Sequence, residues 1–383
     1  MHTVTFYPVG NGDTSLIKTT NGRFILMDFH QMSKAEDDKT PQYDINAALR
    51  QELKDKGKET FDVVAFTHAD ADHIKGSTEF FHLEYASKYQ GGDRVKIEEL
   101  WVPAAMLLEV ADNESQMDES AIWGREARHR LENKLGIKVF STPTDLAKMI
   151  EGWGMTVDEL SVHLIDAGTV VDTFNLEDDG VEFFVHSPFM KHCEVDGKDI
   201  KLVRNEAALI FNVRFNADGE TYDYLAVGDS KAEALVDVVS ITKWKGNEDR
   251  LAWDLFNIPH HCSYLALALA GDKGEDETVP LPEVKELLEM GKSDSYMICS
   301  SKAFDSGKNA KESVQPPHIQ AKACYERYLK KVKGRKFVVT SENGGKIKPK
   351  PVVIQIEKAG ASMLGGAATA AMTTAAAAPA RAG

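Results

Sequence analysis

The chain has 383 residues, of which 43% are hydrophobic and 27% charged, a globular composition that excludes disorder along its whole length. With 60 acidic and 45 basic residues the formal net charge is −15, which argues against a global electrostatic grip on nucleic-acid phosphates but leaves room for a local basic groove. The sequence has no apolar stretch of about 20 residues, no recognisable leader peptide, and cysteines too widely spaced for a CxxC zinc site or a disulfide framework. We therefore expect no membrane attachment and a reducing, cytoplasmic location.

Apolar runs and turn residues predict the elements in chain order. Asp44 can cap a helix whose apolar face consists of Ile45, Ala48, Leu49 and Leu53. The predicted strands are Val4–Tyr7, Leu16–Thr19, Phe24–Asp28, Asp62–Phe66, Glu99–Val102, Val181–His186, Ala207–Phe215, Tyr222–Val227, Phe256–Pro259, Tyr296–Cys299, Phe337–Thr340 and Val352–Ile356. Further helices are predicted at Ser120–Leu135, Lys231–Val239, Pro282–Met290 and His318–Lys331.

Many strands with interleaved helices predict an α/β fold in which helices cover the sheets. Residues 1–358 are expected to form one domain, with a helical insertion at about 84–160. Residues 359–383 are rich in Ala, Gly and Thr, and we expect them to form a flexible tail without chemistry.

The segment Phe66–His73 carries the clearest chemical signal. It directly follows the predicted strand Asp62–Phe66, and loops at the carboxyl ends of strands are where α/β sheets place ligands. Two imidazoles and two carboxylates, from His68, Asp70, Asp72 and His73, fall within this loop. Burying such groups together is costly unless a divalent metal neutralises the charge and fills the lone pairs, so the loop predicts a metal site.

The pattern His-x-Asp-x-Asp-His resembles the metal motif of the metallo-β-lactamase superfamily, in the variant whose second histidine is aspartate. Three other segments resemble superfamily motifs in the same order along the chain: Phe24–Asp28, Tyr224–Asp229 and Asn257–Ser263. The resemblance implies the fold of that superfamily, an αββα sandwich of two mixed β-sheets flanked by helices.

One branch of the superfamily is especially similar, namely the hydrolase domain of the ComEC competence DNA-uptake protein and its soluble relatives. The matching segments are Val9-Gly-Asn-Gly-Asp13, Arg204-Asn205-Glu206, His260-His261-Cys262-Ser263, Pro317-His318 and Thr340-Ser-Glu-Asn-Gly344. The resemblance spans roughly residues 3–356 and implies a metal-dependent hydrolase.

The resemblance also implies a dinuclear metal site. Its ligands would be His68, Asp70, Asp72, His73, Asp229 and one or both of His260 and His261. His68 and Asp70 would hold one metal, and Asp229 would bridge it to the second. A hydroxide bridging the two metals would be the nucleophile.

Other matched residues would act around the metals. Asp28 would orient an imidazole ligand from behind, and Asp72 would combine ligation with proton transfer. His318, which precedes a predicted helix, would point at the metals and donate to the substrate. Asp13 and Asn205 would contact the substrate at the mouth of the site.

The chain departs from the superfamily pattern in its ligands. The isolated histidine expected between residues 160 and 210 has no clear counterpart, so His186, His192 or neither takes that place. An oxygen-rich donor set shifts the preference from zinc toward manganese or magnesium, whereas the thiol of Cys262, where glycine is usual, would recruit zinc. We expect two divalent ions, zinc or manganese, with magnesium also compatible.

The leading functional hypothesis is a phosphodiesterase or nuclease that acts on DNA, because two-metal geometry suits displacement at phosphorus. The alternatives are a hydrolase of small esters or cyclic nucleotides, and an effector subunit whose partner protein supplies the grip on DNA. A non-catalytic fold is disfavoured by the retained metal-type side chains. The clearest basic run favours a solubilising helix end over a nucleic-acid edge, and consists of Lys330, Lys331, Lys333, Arg335 and Lys336.

Overall fold

A computed structural model describes residues 1–37, 39–109, 118–193, 204–307, 309–344 and 349–364, apart from the side chain of residue 192. The strands are β1 (His2–Phe6), β2 (Ser15–Lys18), β3 (Phe24–Met27), β4 (Thr60–Ala65), β5 (Lys96–Pro103), β6 (Ile137–Phe140), β7 (Leu164–Ile165), β8 (Val181–Ser187), β9 (Ile210–Ala217), β10 (Glu220–Ala226), β11 (Trp253–Asn257), β12 (Gly291–Cys299), β13 (Lys336–Val339), β14 (Val352–Glu357) and β15 (Gly360–Met363). The helices are α1 (Ile45–Asp55), α2 (Ala71–Ile74), α3 (Ser77–Phe80), α4 (Ala104–Leu108), α5 (Glu119–Glu132), α6 (Thr144–Gly152), α7 (Met190–Cys193), α8 (Ala232–Trp244), α9 (Pro282–Glu289) and α10 (Ile319–Lys331).

The strands form two mixed sheets. The first has nine strands in the order β15-β14-β1-β2-β3-β4-β5-β6-β7, parallel from β3 to β7 and antiparallel elsewhere. The second has six strands in the order β13-β12-β11-β10-β9-β8, parallel from β10 to β13. Parallel strands must be covered on both faces, so each sheet needs a helical layer as well as its partner sheet.

Three apolar layers show how the sheets stack. Between them, Trp101 of β5 meets Phe183 of β8 with ring centroids 5.0 Å apart. The outer face of the first sheet packs against α1 and α4–α6, and that of the second packs against α8–α10. The predicted αββα sandwich of two mixed sheets is therefore confirmed.

Two predicted boundaries need correction. The range 84–160 holds the helices α4–α6 together with β5, where a strand was predicted at Glu99–Val102, and β6, which was not predicted; both strands pair in the first sheet. Strand β6 has only four residues, all of them buried, and one of these is the charged Lys138, so its sequence gives too short a signal for a strand. The predicted tail also begins too early, because residues 360–363 form β15 on the edge of that sheet. Residues 365–383 lie outside the described residues.

The strand ends converge on one edge of the sandwich. Asp28 follows β3, the loop of His68 follows β4, Asp229 follows β10, and His261 follows β11. These strands run parallel to a neighbour within their own sheets, so their carboxyl ends point the same way. No helix in the described part of the chain combines the length and apolar character needed to cross a membrane.

Candidate metal centre

Asp229 occupies the middle of the cluster of predicted ligands. Its Oδ1 lies 3.3 Å from Nε2 of His73, and its Oδ2 lies 3.3 Å from Nε2 of His261. Nε2 of His261 is also 3.2 Å from Oδ2 of Asp72. One potential ligand atom from each of these four residues lies within 4.8 Å of all the others. The structure thus brings together side chains from one segment after a strand of the first sheet and from two segments after strands of the second.

The His68 side of the cluster adjoins this group. The rings of His68 and His73 have centroids 4.0 Å apart, and Nε2 of His68 lies 3.4 Å from Oδ2 of Asp70. Nε2 of His260 is 3.9 Å from Oδ2 of Asp229. Asp229 is therefore placed between the two halves of the predicted dinuclear site.

Asp28 fixes the orientation of His73 from behind. Its Oδ2 accepts a hydrogen bond of 2.7 Å from Nδ1 of His73, while the backbone and hydroxyl groups of Thr67 donate to Oδ1 and Oδ2 at 2.7 Å each. Because Nδ1 carries the donated proton, the outward nitrogen Nε2 is the one that faces Asp229. This is how a carboxylate orients a metal-binding imidazole.

His261 is held in the same way by a backbone carbonyl. Its Nδ1 donates to the oxygen of Ser300 at 2.7 Å, and Nε2 is thereby directed at Asp72 and Asp229. His260 and His261 both have left-handed backbones, with φ of 49° and 52°, and their rings stand 85° apart. Adjacent residues in this strained conformation can serve different halves of one site.

Opposite charges balance inside the cluster. Burial raises the pKa of Asp229, but the imidazoles of His261 and His73 outweigh burial and hold this pKa well below its usual range. Burial likewise lowers the pKa of His73, but Asp28 and Asp229 raise it well above the usual histidine value. The pKa of His261 is raised in the same direction, against burial, chiefly by Asp229. The carboxylates and imidazoles of the cluster therefore stabilise one another's charged forms.

The donor set fits divalent metal ions. Three buried atoms that face this region have no hydrogen-bond partner, namely Nε2 of His68, Nε2 of His73 and Oδ1 of Asp229. Unpaired buried polar atoms are rare in native proteins and call for a ligand. Imidazole nitrogens mixed with carboxylate oxygens suit zinc and manganese.

Asp13 and Asn205 occupy positions different from the predicted mouth. Asp13 is buried behind the ligands, with a carboxylate oxygen within 4.8 Å of ligand atoms of Asp28 and His73, and burial raises its pKa. Asn205 is half-buried and donates from Nδ2 to the backbone oxygen of Asp229 at 3.1 Å. The geometry thus places Asp13 where its charge acts on the predicted ligands, and it gives Asn205 a hydrogen bond that holds the backbone of Asp229. It supports neither residue as a substrate contact.

Gly12 explains why a glycine-rich turn precedes Asp13. A Cβ atom at Gly12 would lie 1.9 Å from Nδ1 of His30 and 2.8 Å from the backbone oxygen of Asp72. The turn therefore packs directly against the loop that carries the ligands, and the backbone of Asp13 donates to the same Asp72 oxygen at 3.2 Å.

His318 does not present a free nitrogen to the metals. Its Nδ1 accepts from the backbone of Tyr264 at 3.3 Å, and its Nε2 donates to the carbonyl of Val314 at 3.3 Å. The catalytic role predicted for His318 is therefore not what the geometry supports. The ring bridges the segment after the histidine pair to the loop before α10.

His186 is likewise excluded as the missing ligand. Its Nδ1 accepts from the hydroxyl of Thr242, its Nε2 donates to the carbonyl of Arg250, and both distances are 3.0 Å. The side chain of His192 lies outside the described residues. Cys262 does not supply a thiolate either, because its buried thiol faces Cys299 and burial raises its pKa well above the usual value.

The buried His186 should make stability depend on pH. Burial lowers its pKa to about 4, whereas an unfolded histidine titrates near 6.5. Between these values the unfolded state binds the extra proton, so the stability contributed by neutral His186 is present above pH 6.5 and is lost as pH falls toward 4. The loss should be about 3 kcal/mol. Urea unfolding of the wild type and of His186→Gln at several pH values checks this, and parallel pH profiles would contradict it.

Two residues that support the site were not singled out from the sequence. Thr67 stands inside the metal motif but has no side chain typical of a ligand, and its bonds to Asp28 appear only in three dimensions. Arg204 was part of a matched segment, but nothing in its spacing predicted the bond of 3.0 Å that it donates to Asp70. Thr67 could have been found only by considering every polar residue of the metal motif as a possible hydrogen-bond partner of the residues that orient the ligands.

Comparisons with known sequences find no matching family and no matching curated protein. Solved structures do show likeness at 12% identity, including an unliganded yeast PDE1 with a TM-score of 0.43, covering 88% of this chain and 97% of that chain. A diphosphatase from the PhnP family has a TM-score of 0.32, covering 84% and 94%, again at 12% identity. The class B3 di-zinc metallo-β-lactamase LRA-12 from an Alaskan soil metagenome has 12% identity and a TM-score of 0.32, covering 86% and 91%. Similarity at these scores identifies neither family nor activity.

Asp28→Asn tests the positioning of His73. Asparagine tolerates the left-handed backbone at this residue, where φ is 57°. The carboxylate of Asp28 accepts three hydrogen bonds, and the NH₂ group of asparagine, itself a donor, could not accept in place of the oxygen that it replaces. We expect roughly 10- to 100-fold weaker metal binding, measured by titration with Mn²⁺ or Zn²⁺.

Asp62→Asn is the matched control for Asp28→Asn. Asp62 is also buried and bonds a backbone group, that of Phe24, but it lies at the start of β4 and not at its carboxyl end. This variant should lose stability and keep its affinity for metal. Equal metal affinity in Asp28→Asn and the wild type would show that Asp28 does not position a ligand.

Proposed function

We propose that this chain is a metal-dependent hydrolase of the metallo-β-lactamase type that cleaves phosphodiester bonds at a dinuclear centre. The observation that carries the proposal is the cluster of Asp72, His73, Asp229 and His261 within 4.8 Å, beside buried nitrogens without partners. The ordered motifs shared with ComEC-type hydrolases support the same reaction class.

The geometry suggests how the ligands divide. His68, Asp70 and His260 would hold one cation, Asp72, His73 and His261 the other, and Asp229 would contact both. Bound divalent cations would supply Lewis acidity, which activates water at neutral pH and offsets charge on phosphate oxygens. Manganese and zinc are the proposed ions, with magnesium compatible.

The remaining residues place these groups. Asp28 and the Ser300 carbonyl fix the tautomers of two imidazoles, so that their Nε2 atoms face the centre. Asp72 is half-buried at the entrance, and its carboxylate can hold a proton beside His261 during turnover.

DNA is the substrate class that the ComEC resemblance favours. The proposed location is the cytoplasm, where the four free cysteines would stay reduced. The positive charges of the basic run form ion pairs within the protein, which favours a second candidate substrate, a small phosphodiester such as a cyclic nucleotide. Lys331 pairs with Glu289 at 2.6 Å and Arg335 with Asp294 at 3.0 Å, so these cations are already matched. For DNA, a partner protein would supply the additional grip.

A hydrolysis panel tests the proposal. The purified chain is assayed on bis-p-nitrophenyl phosphate, linear DNA and cyclic nucleotides with Mn²⁺, Zn²⁺ or Mg²⁺, at low and high salt. Metal-dependent cleavage of any phosphodiester supports the reaction class, and salt-sensitive binding distinguishes DNA from the small substrate. Absence of cleavage with every metal and substrate, despite bound metal, would overturn the proposed reaction.

A further inference from the structure

We propose that Arg204 is a positioning residue that fixes the metal-binding carboxylate of Asp70 and is itself held by Glu109; the inference rests on the proposed metal centre. Nη1 of Arg204 donates to Oδ1 of Asp70 at 3.0 Å and to the backbone oxygen of Ala69 at 2.9 Å. Its Nε donates to Oε2 of Glu109 at 2.8 Å. The guanidinium thus joins a metal-motif loop to the end of α4.

These hydrogen bonds determine which carboxylate oxygen of Asp70 is left to bind a metal. Oδ1 is occupied by Arg204, and Oδ2 is the oxygen that lies 3.4 Å from Nε2 of His68. Asp70 therefore acts as a ligand through Oδ2. Its side chain is partly exposed, and without Arg204 it would be free to turn into solvent. Hydrogen bonds to a ligating carboxylate typically carry a 10- to 100-fold effect on affinity.

The pairing depends on the aspartate that this chain carries in place of the usual histidine. A carboxylate has one oxygen for the metal and one for a guanidinium, whereas an imidazole at position 70 would offer no such second acceptor. Arg204 and Asp70 are thus one unit, and their effects on metal binding should be coupled.

Glu109 resolves the electrostatic problem that Arg204 creates. A bare cation next to a metal ligand repels a divalent ion, but the carboxylate of Glu109 offsets that charge. The two physical effects therefore predict opposite changes in metal affinity for Arg204→Gln. Loss of charge alone would strengthen metal binding, whereas loss of positioning weakens it.

The test is a Mn²⁺ titration of the full chain by calorimetry, without substrate. In Arg204→Gln we expect one of the two metal equivalents to bind roughly 10- to 100-fold more weakly, while the other changes less than about twofold. Arg204→Lys, which keeps the charge but loses the planar fork, should weaken the same equivalent. Glu109→Gln should weaken it too, because the guanidinium charge is then uncompensated.

A double-mutant cycle separates positioning from folding. In an Asp70→His background, Arg204→Gln should change metal affinity less than about twofold, because the acceptor is gone. Unchanged or tighter binding in Arg204→Gln, or equal weakening of both equivalents, would overturn the inference. A wild-type protein that binds fewer than two equivalents would instead contradict the proposed centre, so the two failures are distinguishable.

Discussion

Asp72→Ala should reduce phosphodiester hydrolysis by roughly 10²- to 10⁴-fold while leaving the fold intact, the range expected when a proton-transfer group is lost. Asp72 lies in the first turn of the short helix α2, which follows β4, close to His261, and its side chain is partly exposed. Replacement therefore removes a ligand and a proton acceptor without opening a cavity in any of the three apolar layers. Steady-state hydrolysis at saturating Mn²⁺ measures the effect.

A surface aspartate provides the comparison for Asp72→Ala. Asp55 is exposed at the end of α1, and Asp55→Ala should retain wild-type hydrolysis. Both variants should unfold at urea concentrations close to that of the wild type when metal has been removed. If Asp72→Ala hydrolyses substrate at the wild-type rate, the carboxylate is neither an essential ligand nor a proton acceptor.

The central part of the site could be predicted because its information is local. His68, Asp70, Asp72 and His73 follow one buried strand within six residues, so their spacing already keeps them together at the end of that strand, in the loop before α2 and in α2 itself. The late residues could be added because Asp229 and His261 also follow strands, and carboxyl ends of parallel strands share one edge. The resemblance supplied the pairing between sheets, which spacing alone does not contain.

Side-chain orientation was the main source of error. His318 occupies the N-cap position of α10, but its side chain makes no capping hydrogen bond there, and its ring turns toward the backbone of Tyr264 and Val314. Sequence position near a helix start says nothing about ring rotation, which depends on distant backbone groups. Asp13 shows the same limit, because the adjacent Gly12 packs so closely that the turn draws Asp13 inward.

Fold errors had a different origin. Strands β6 and β7 have only four and two residues, and β15 consists of Gly360–Met363, which has little strand character of its own. Their hydrogen bonds to neighbouring strands stabilise them, a tertiary effect that overrides weak local preference. Strands β4 and β10 could be predicted because they are longer, with six and seven residues, and each ends in a buried apolar run.

Asp229→Asn should remove the stabilisation that metal gives to the folded protein. For the wild type, Mn²⁺ at about 100 times its Kd should raise the free energy of unfolding by about 2.7 kcal/mol for each metal bound. Asp229 is only 3% exposed, and its carboxylate lies 3.3 Å from nitrogens of His73 and His261 on one side and 3.9 Å from Nε2 of His260 on the other, so both proposed cations would depend on its charge. Asparagine has nearly the same volume but no charge, and the increment should fall close to zero.

The decisive comparison for Asp229→Asn is Asp223→Asn on β10, the strand that Asp229 follows. Asp223 is equally buried. It accepts hydrogen bonds from Arg214 at 2.7 Å and from Lys292 at 2.8 Å, and neither of these partners is a predicted metal ligand. Breaking this buried network should lower the metal-free stability by about 3–5 kcal/mol, yet the increment on adding Mn²⁺ should persist. Urea unfolding of each variant with Mn²⁺ and with chelator gives both quantities. A full metal increment in Asp229→Asn would remove Asp229 from the centre and with it the dinuclear arrangement.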